Sequence, residues 1–417
     1  MLNHVRSTVK DTLIYSLGNI STKILGIVLM PIYTEQLPLE EYGALGILEI
    51  TIQLFIPLFS FAIFQGMTRW YWDEDYRSRQ RSIFFTCLSF IVVTSALLLA
   101  GLLPFTEKLS LLLINQDRSY LMGLILVSAS FQMIARLILV LLRLQRKPGM
   151  FTTINIVKLA ITLFLTIYFV VNLERGLEGI FEAQIIGFVA FFLMVIPYVV
   201  KNIEVKLEKE ILKDMLRFSY PLAISTALGV FFSVTDRYAL KFVGGLAEAG
   251  IYSLGFKIAN TLKIFIMNSA QSALEPFKMK MIGKPGSKRF YSKIMLYYGF
   301  GTMLFILLIS FFGKEAIVLL ARKPEYIQAY KIIPVISMAL LFQVFRNSSN
   351  IGLIIQKKTG IMSRVVIFIA IINVGLNLVF IYLFDIMGAA IAVLLSQILF
   401  FVIIFRPICA VYLRCRA

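Results

Sequence analysis

The side chains with most chemical potential in this 417-residue chain are ionisable groups set inside long apolar runs. Lys23, Arg136, Lys158, Arg237, Lys257, Lys263, Arg346 and Arg364 stand against Glu49, Glu182, Asp236 and Glu275. Cations in such surroundings attract phosphate or carboxylate groups, and carboxylates there can hold a proton or a sodium ion. Other chemistries lack their residues. The single histidine is His4, and Cys87, Cys409 and Cys415 have neither metal-ligand spacing nor a disulfide framework. No glycine-rich phosphate loop is present, so ATP hydrolysis is not expected and an ion gradient is the remaining energy source. No cofactor is expected.

The elements that carry these residues belong in lipid. Hydrophobic residues make up 59% of the chain and charged residues 15%, and the mean hydropathy is +0.85. A soluble protein is roughly half apolar and a quarter charged, so the surplus apolar surface requires hydrocarbon as its solvent. Apolar runs of the length needed to cross a bilayer predict about twelve helices. They fall at 12–33, 43–66, 82–104, 119–141, 151–171, 177–200, 217–240, 250–275, 294–313, 330–351, 361–383 and 387–412.

Basic residues concentrate in alternate loops: Arg77, Arg79 and Arg81; Arg143, Arg146 and Lys147; Lys201, Lys206, Lys209 and Lys213; Lys357 and Lys358; and the tail. By the positive-inside rule these loops and both termini are expected in the cytoplasm. Most of the net charge of +18 is thereby topological, and it attracts anionic lipid headgroups rather than nucleic acid. Inside the spans the charges need another account. A charge at the bilayer centre costs about 2.5–3.5 kcal/mol even on the lenient insertion scale, so this many should line a hydrated, basic cavity. Helical spacing agrees: Lys257, Asn260, Thr261, Asn268, Gln271 and Glu275 share one face, as do Gln132, Arg136 and Arg143. Lys23, Arg136, Lys158, Lys257, Asn260, Lys263 and Arg346 are the candidate substrate-binding residues, and Glu49, Asp236 and Arg237 the candidate ion-coupling residues. Arg364, near a helix end, is expected to snorkel to the interface. Asn373 and Asn377, one turn apart, are expected to serve helix packing.

The chain also repeats itself. Leu39, Glu41 and Gly43 recur as Leu246, Glu248 and Gly250 at a constant shift of 207 residues. The predicted fold is an all-α polytopic membrane protein: two six-helix bundles related by a pseudo-two-fold axis along the membrane normal, around a central cavity. The N-terminal bundle is expected over 1–200, a cytoplasmic linker over 201–216 and the C-terminal bundle over 217–417.

Two segments resemble a known family. TLIYSLGNISTKILGIVLMPIYTEQLPLEEYGALGILE at 12–49 and LRFSYPLAISTALGVFFSVTDRYALKFVGGLAEAGIYSLGFKIA at 216–259 are similar to the polysaccharide flippases of the Wzx type. That family shares a superfamily with multidrug and toxin extrusion transporters and lipid II flippases. The resemblance implies flipping of an undecaprenyl-diphosphate-linked oligosaccharide, such as an O-antigen unit of lipopolysaccharide, from the cytoplasmic to the periplasmic leaflet of a bacterial inner membrane. It implies membrane lipids, a polysaccharide polymerase and a chain-length regulator as partners. The residues it singles out are Asp236, Arg237, Glu41, Glu248 and Lys257. A drug exporter of the same fold would need a cavity that attracts cations. A lipid II flippase resembles a fourteen-helix layout, and a glycan polymerase or ligase would carry a substantial catalytic external loop. The chain is therefore expected to be an alternating-access transporter, not an enzyme.

Overall fold

The computed structural model describes residues 26–262, 286–349 and 359–414. Among the described residues every regular element is helical, as lipid demands of any backbone that does not close into a barrel. Eight of these helices are long and apolar enough to cross a membrane, and a bent pair, Pro324–Lys331 with Ile333–Arg346, makes a ninth. The expected second to twelfth spans each overlap a described helix, the last two within one helix that kinks near residue 385, while residues 263–275 of the eighth, 350–351 of the tenth and most of the first lie outside the described residues.

The chain divides into two compact units. One comprises the described residues up to Leu37 together with Ile47–Val230; the other comprises Pro38–Gly46 and the described residues from Phe231 onward. In chain order the helices are α1 (Met30–Gln36), α2 (Leu39–Ser60), α3 (Ile63–Trp70), α4 (Gln80–Leu102), α5 (Thr106–Ile114), α6 (Ser119–Leu144), α7 (Pro148–Ile167) and α8 (Gly176–Lys201). They continue as α9 (Lys209–Val243), α10 (Leu246–Leu262), α11 (Ser287–Phe311), α12 (Gly313–Leu320), α13 (Ile333–Ser349) and α14 (Thr359–Arg414).

In the first unit α6 is the hub, packed against α4, α5, α7 and α8. Its face formed by Leu121, Met122, Ile125, Leu126, Ala129 and Met133 is fully buried, and its positions advance by three or four as a helix stripe must. Small side chains let α7 and α8 approach closely: a Cβ on Gly187 would collide with the Thr162 hydroxyl. One predicted span is interrupted. Instead of running on from 43 to 66, the chain breaks after Ser60, where Phe61 and Ala62 take φ of 48° and 52° and the Ser60 hydroxyl accepts the Ala62 N–H at 3.3 Å. Nothing in the apolar pattern marks this turn, because both residues are hydrophobic.

In the second unit α13 packs against α10, α11 and α14. The expected division of the last two spans near residue 385 appears as a kink in α14. Asp385 has φ of 49° and ψ of −131°, which breaks the helical ladder between the two arms. Asn373 on one arm donates to the Ser396 hydroxyl on the other at 2.9 Å, and Asn377 donates back to the Asn373 carbonyl at 2.9 Å. The amide pair thus serves helix packing.

Candidate functional site

Polar side chains gather at one place in the first unit. Helices α6, α7 and α8 converge on a cavity of about 210 Å³. Asn155, Lys158 and Thr162 point into it from α7, spaced by three and four residues so that they share a face. Gln132 enters from α6, and Gln184 and Phe188 from α8. The Lys158 ammonium lies 3.2 Å from the centroid of the Phe188 ring, where the negative ring face holds a cation inside an otherwise apolar bundle. Asn155 is fixed by donating to the Phe151 carbonyl at 2.7 Å. The Ser128 hydroxyl bridges the two glutamines at long range, 3.4 Å to Gln184 and 3.5 Å to Gln132. The Thr162 hydroxyl is buried with no hydrogen-bond partner. Among the described residues no carboxylate lines this cavity.

A second cluster lies in the other unit. Asp236 on α9 is 2% exposed. It accepts the Tyr252 hydroxyl of α10 at 2.6 Å and the Arg237 backbone N–H at 2.9 Å. The Arg237 guanidinium stands 4.1 Å over the Phe256 ring. Five residues beyond Tyr252, the Lys257 ammonium is 5.5 Å from the ring of Tyr42, which meets Tyr326 edge to face. Asn260 is half-buried three residues further on. At the start of α10 the Glu248 carboxyl is held above its ordinary range by burial and by the nearby charge of Asp385.

Arg346 on α13 is 8% exposed. Its guanidinium donates to Gln397 at 2.9 Å and lies 4.2 Å over Phe400. Among the described residues, the partner of this buried arginine is an amide and no carboxylate pairs with it, so its positive charge is uncompensated within them.

The remaining candidates are dispersed. Arg136 is exposed, its guanidinium 5.1 Å from the Phe64 ring, and Glu49 is half-buried on α2. Glu182 is engaged at an end of α8 with Arg175 at 2.8 Å and Tyr120 at 2.9 Å. Lys23, Lys263, Glu275 and the side chain of Arg364 lie outside the described residues. Sequence reasoning missed Thr162, Gln184, Tyr252 and Gln397. The spacing of Asn155, Lys158 and Thr162 on one helical face was a readable signal for the first cavity. Tyr252 and Gln397 gave none, since each matters through a partner on another helix or helix arm.

The arrangement has known counterparts. Residues 8–281 match the model of a family described as polysaccharide biosynthesis protein. An uncharacterized membrane protein of Haemophilus influenzae is 25% identical over 292 residues, 67% of each chain. Among solved structures, an inward-facing multidrug resistance transporter of the MATE family, in the MOP superfamily, superposes with a TM-score of 0.73 at 14% identity, covering 95% of each chain. A MOP superfamily transporter from Pyrococcus furiosus, described as having a binding pocket of reversed polarity, superposes with a TM-score of 0.64 at 13% identity, covering 97% of this chain and 96% of that one. These likenesses place the chain in the fold of MATE transporters.

Proposed function

The chain belongs to the polysaccharide biosynthesis protein family, and from that premise we propose that it flips an undecaprenyl-diphosphate-linked oligosaccharide from the cytoplasmic to the periplasmic leaflet. It is a membrane protein whose family and fold are those of transporters and not of enzymes. The observation that carries the substrate reading is the surplus of positive charge within the spans. Lys158 lies in a cavity that no described carboxylate lines, and Arg346 is hydrogen-bonded to an amide. Such sites attract an anionic lipid-linked glycan and repel the cationic compounds a drug exporter would carry.

The mechanism that fits is alternating access. The basic side chains Lys23, Arg136, Lys158, Lys257, Lys263 and Arg346, with the amide of Asn260, receive the headgroup while the polyprenyl tail stays in the bilayer. Energy comes from a proton or sodium gradient. Asp236 is its carrier, with Arg237 modulating its charge and Glu49 as a second acid, because an intramembrane carboxylate bound by a tyrosine hydroxyl has two defined protonation states to exchange. The setting is a bacterial inner membrane with both termini cytoplasmic, beside a polymerase and a chain-length regulator that consume the flipped unit.

The test is reconstitution into vesicles with a fluorescent polyprenyl-diphosphate oligosaccharide. Exchange between leaflets is measured with and without an imposed gradient. Gradient-stimulated exchange supports the proposal; exchange no faster than in protein-free vesicles removes it.

A further inference from the structure

The cavity between α6, α7 and α8 has a composition that specifies more than a positive charge. It offers one ammonium, Lys158, the amides of Gln132, Asn155 and Gln184, and the hydroxyl of Thr162. A phosphate dianion is best held by several cations or by a guanidinium fork, and neither is present here. One cation among neutral donors and acceptors matches a single negative charge carried on a body rich in hydroxyls. Size points the same way. A volume of about 210 Å³ admits a sugar ring.

We infer that this cavity is a binding site for one carboxylate-bearing sugar unit, with Lys158 facing the carboxylate and Gln132, Gln184 and Thr162 facing ring hydroxyls. The Thr162 hydroxyl, seated against Gly187 of α8, is buried without a hydrogen-bond partner. A buried hydroxyl with no partner costs stability, and a ligand hydroxyl in the cavity would supply the missing bond. The stacking of Lys158 on Phe188 keeps the ammonium in place before the ligand arrives. The inference rests on the flippase reading for its biological meaning, since it makes the first unit a reader of acidic sugars in the transported glycan.

The experiment is titration calorimetry on the full-length protein in nanodiscs, with methyl glucuronoside, methyl glucoside and inorganic phosphate as separate probes. Methyl glucuronoside should bind at least about tenfold more tightly than methyl glucoside, and phosphate more weakly than either, as expected where one charge pair separates the two sugars. Lys158→Met should erase the preference for the acid while leaving the weak affinity for the glucoside. Lys158→Arg should keep most of it, and Thr162→Val should weaken both sugars. Equal binding of the two glycosides by the unaltered protein overturns the inference without recourse to any variant. So does a preference for phosphate, or an unchanged preference in Lys158→Met. Failure of leaflet exchange with both an acidic and a neutral lipid-linked oligosaccharide would instead sink the flippase reading, and the glycoside comparison would stand apart from it.

Discussion

Gly43 and Gly250, equivalent positions of the repeat, meet where α2 crosses α10. A Cβ on Gly43 would strike the carbonyl oxygen of Leu246, and one on Gly250 would come within 2.7 Å of the carbonyl oxygen of Leu39. Leu39 and Leu246 are themselves equivalent, so the two contacts mirror each other. Ser253, the counterpart of Gly46, also packs against it: a Cβ at position 46 would lie 2.6 Å from the Ser253 hydroxyl. Residue i meets residue i+207 and the reciprocal contact recurs, so this crossing within one unit is a self-complementary contact between like surfaces. The glycines are retained in both copies because the backbones approach too closely for any side chain.

Overpacking at that crossing gives the first prediction. Gly43→Ala and Gly250→Ala should each destabilise by about 1–3 kcal/mol, seen as a lowered Tm in detergent. Gly229→Ala, with open space around it, should be neutral or stabilising by up to ~1 kcal/mol. Equal Tm for all three variants would contradict the close approach.

The buried arginine allows charge and stability to be separated. Arg346→Met fills a similar volume with no charge, so Tm should hold or rise, while exchange of the diphosphate lipid should fall. Gln397→Leu removes the hydrogen-bonded partner and leaves the guanidinium buried, and should cost about 3 kcal/mol or more. A Tm that drops more in Arg346→Met than in Gln397→Leu would reverse this account.

Asp236 and Tyr252 should divide coupling from folding. Asp236→Asn keeps one side-chain oxygen to accept the Arg237 N–H, and its amide N–H can donate to the Tyr252 hydroxyl in place of the bond that hydroxyl gave to the carboxylate, but it removes the titratable charge. Exchange should persist without a gradient and lose its stimulation by one. Tyr252→Phe removes a hydrogen bond to a carboxylate and should lower stability by about 1.5–3 kcal/mol. Full gradient stimulation in Asp236→Asn would move the coupling role elsewhere.

Acid sensitivity should arise at Glu208, in the segment leading into α9. Partial desolvation would raise its carboxyl, but the Ser82 hydroxyl at 3.1 Å, the Lys206 ammonium at 3.3 Å and Arg79 at 3.7 Å outweigh it and hold the group below the ordinary carboxylate range. A depressed folded value means that the stabilisation is present above the unfolded pKa of ~4.3 and is lost as pH falls through the folded value. Thermal unfolding followed from neutral pH downward should show that loss in the native protein and a flatter limb in Glu208→Gln. The variant should also be cleaved faster by trypsin at Lys206 and Lys209.

Much of the fold was legible in the residues alone. Whether a segment enters lipid is decided by windows of about twenty residues, so composition placed the helices from Leu39 onward without reference to their neighbours. The division near Asp385 and the packing role of Asn373 and Asn377 followed from the same local evidence. The 207-residue repeat was visible too, because like surfaces require like residues at like spacing.

What only the tertiary structure decided is which of the polar residues meet. Lys158 and Arg136 read alike as cations in apolar runs, yet one faces a cavity with three amides and the other is exposed on α6. Arg346 and Gln397 are 51 positions apart, and no periodicity along one helix encodes a bond to another. Spacing fixes the face of a helix on which a side chain stands. What stands opposite is set by how neighbouring helices pack, and for Lys158 and Arg346 that packing decides whether a charge is held in place to attract an anion.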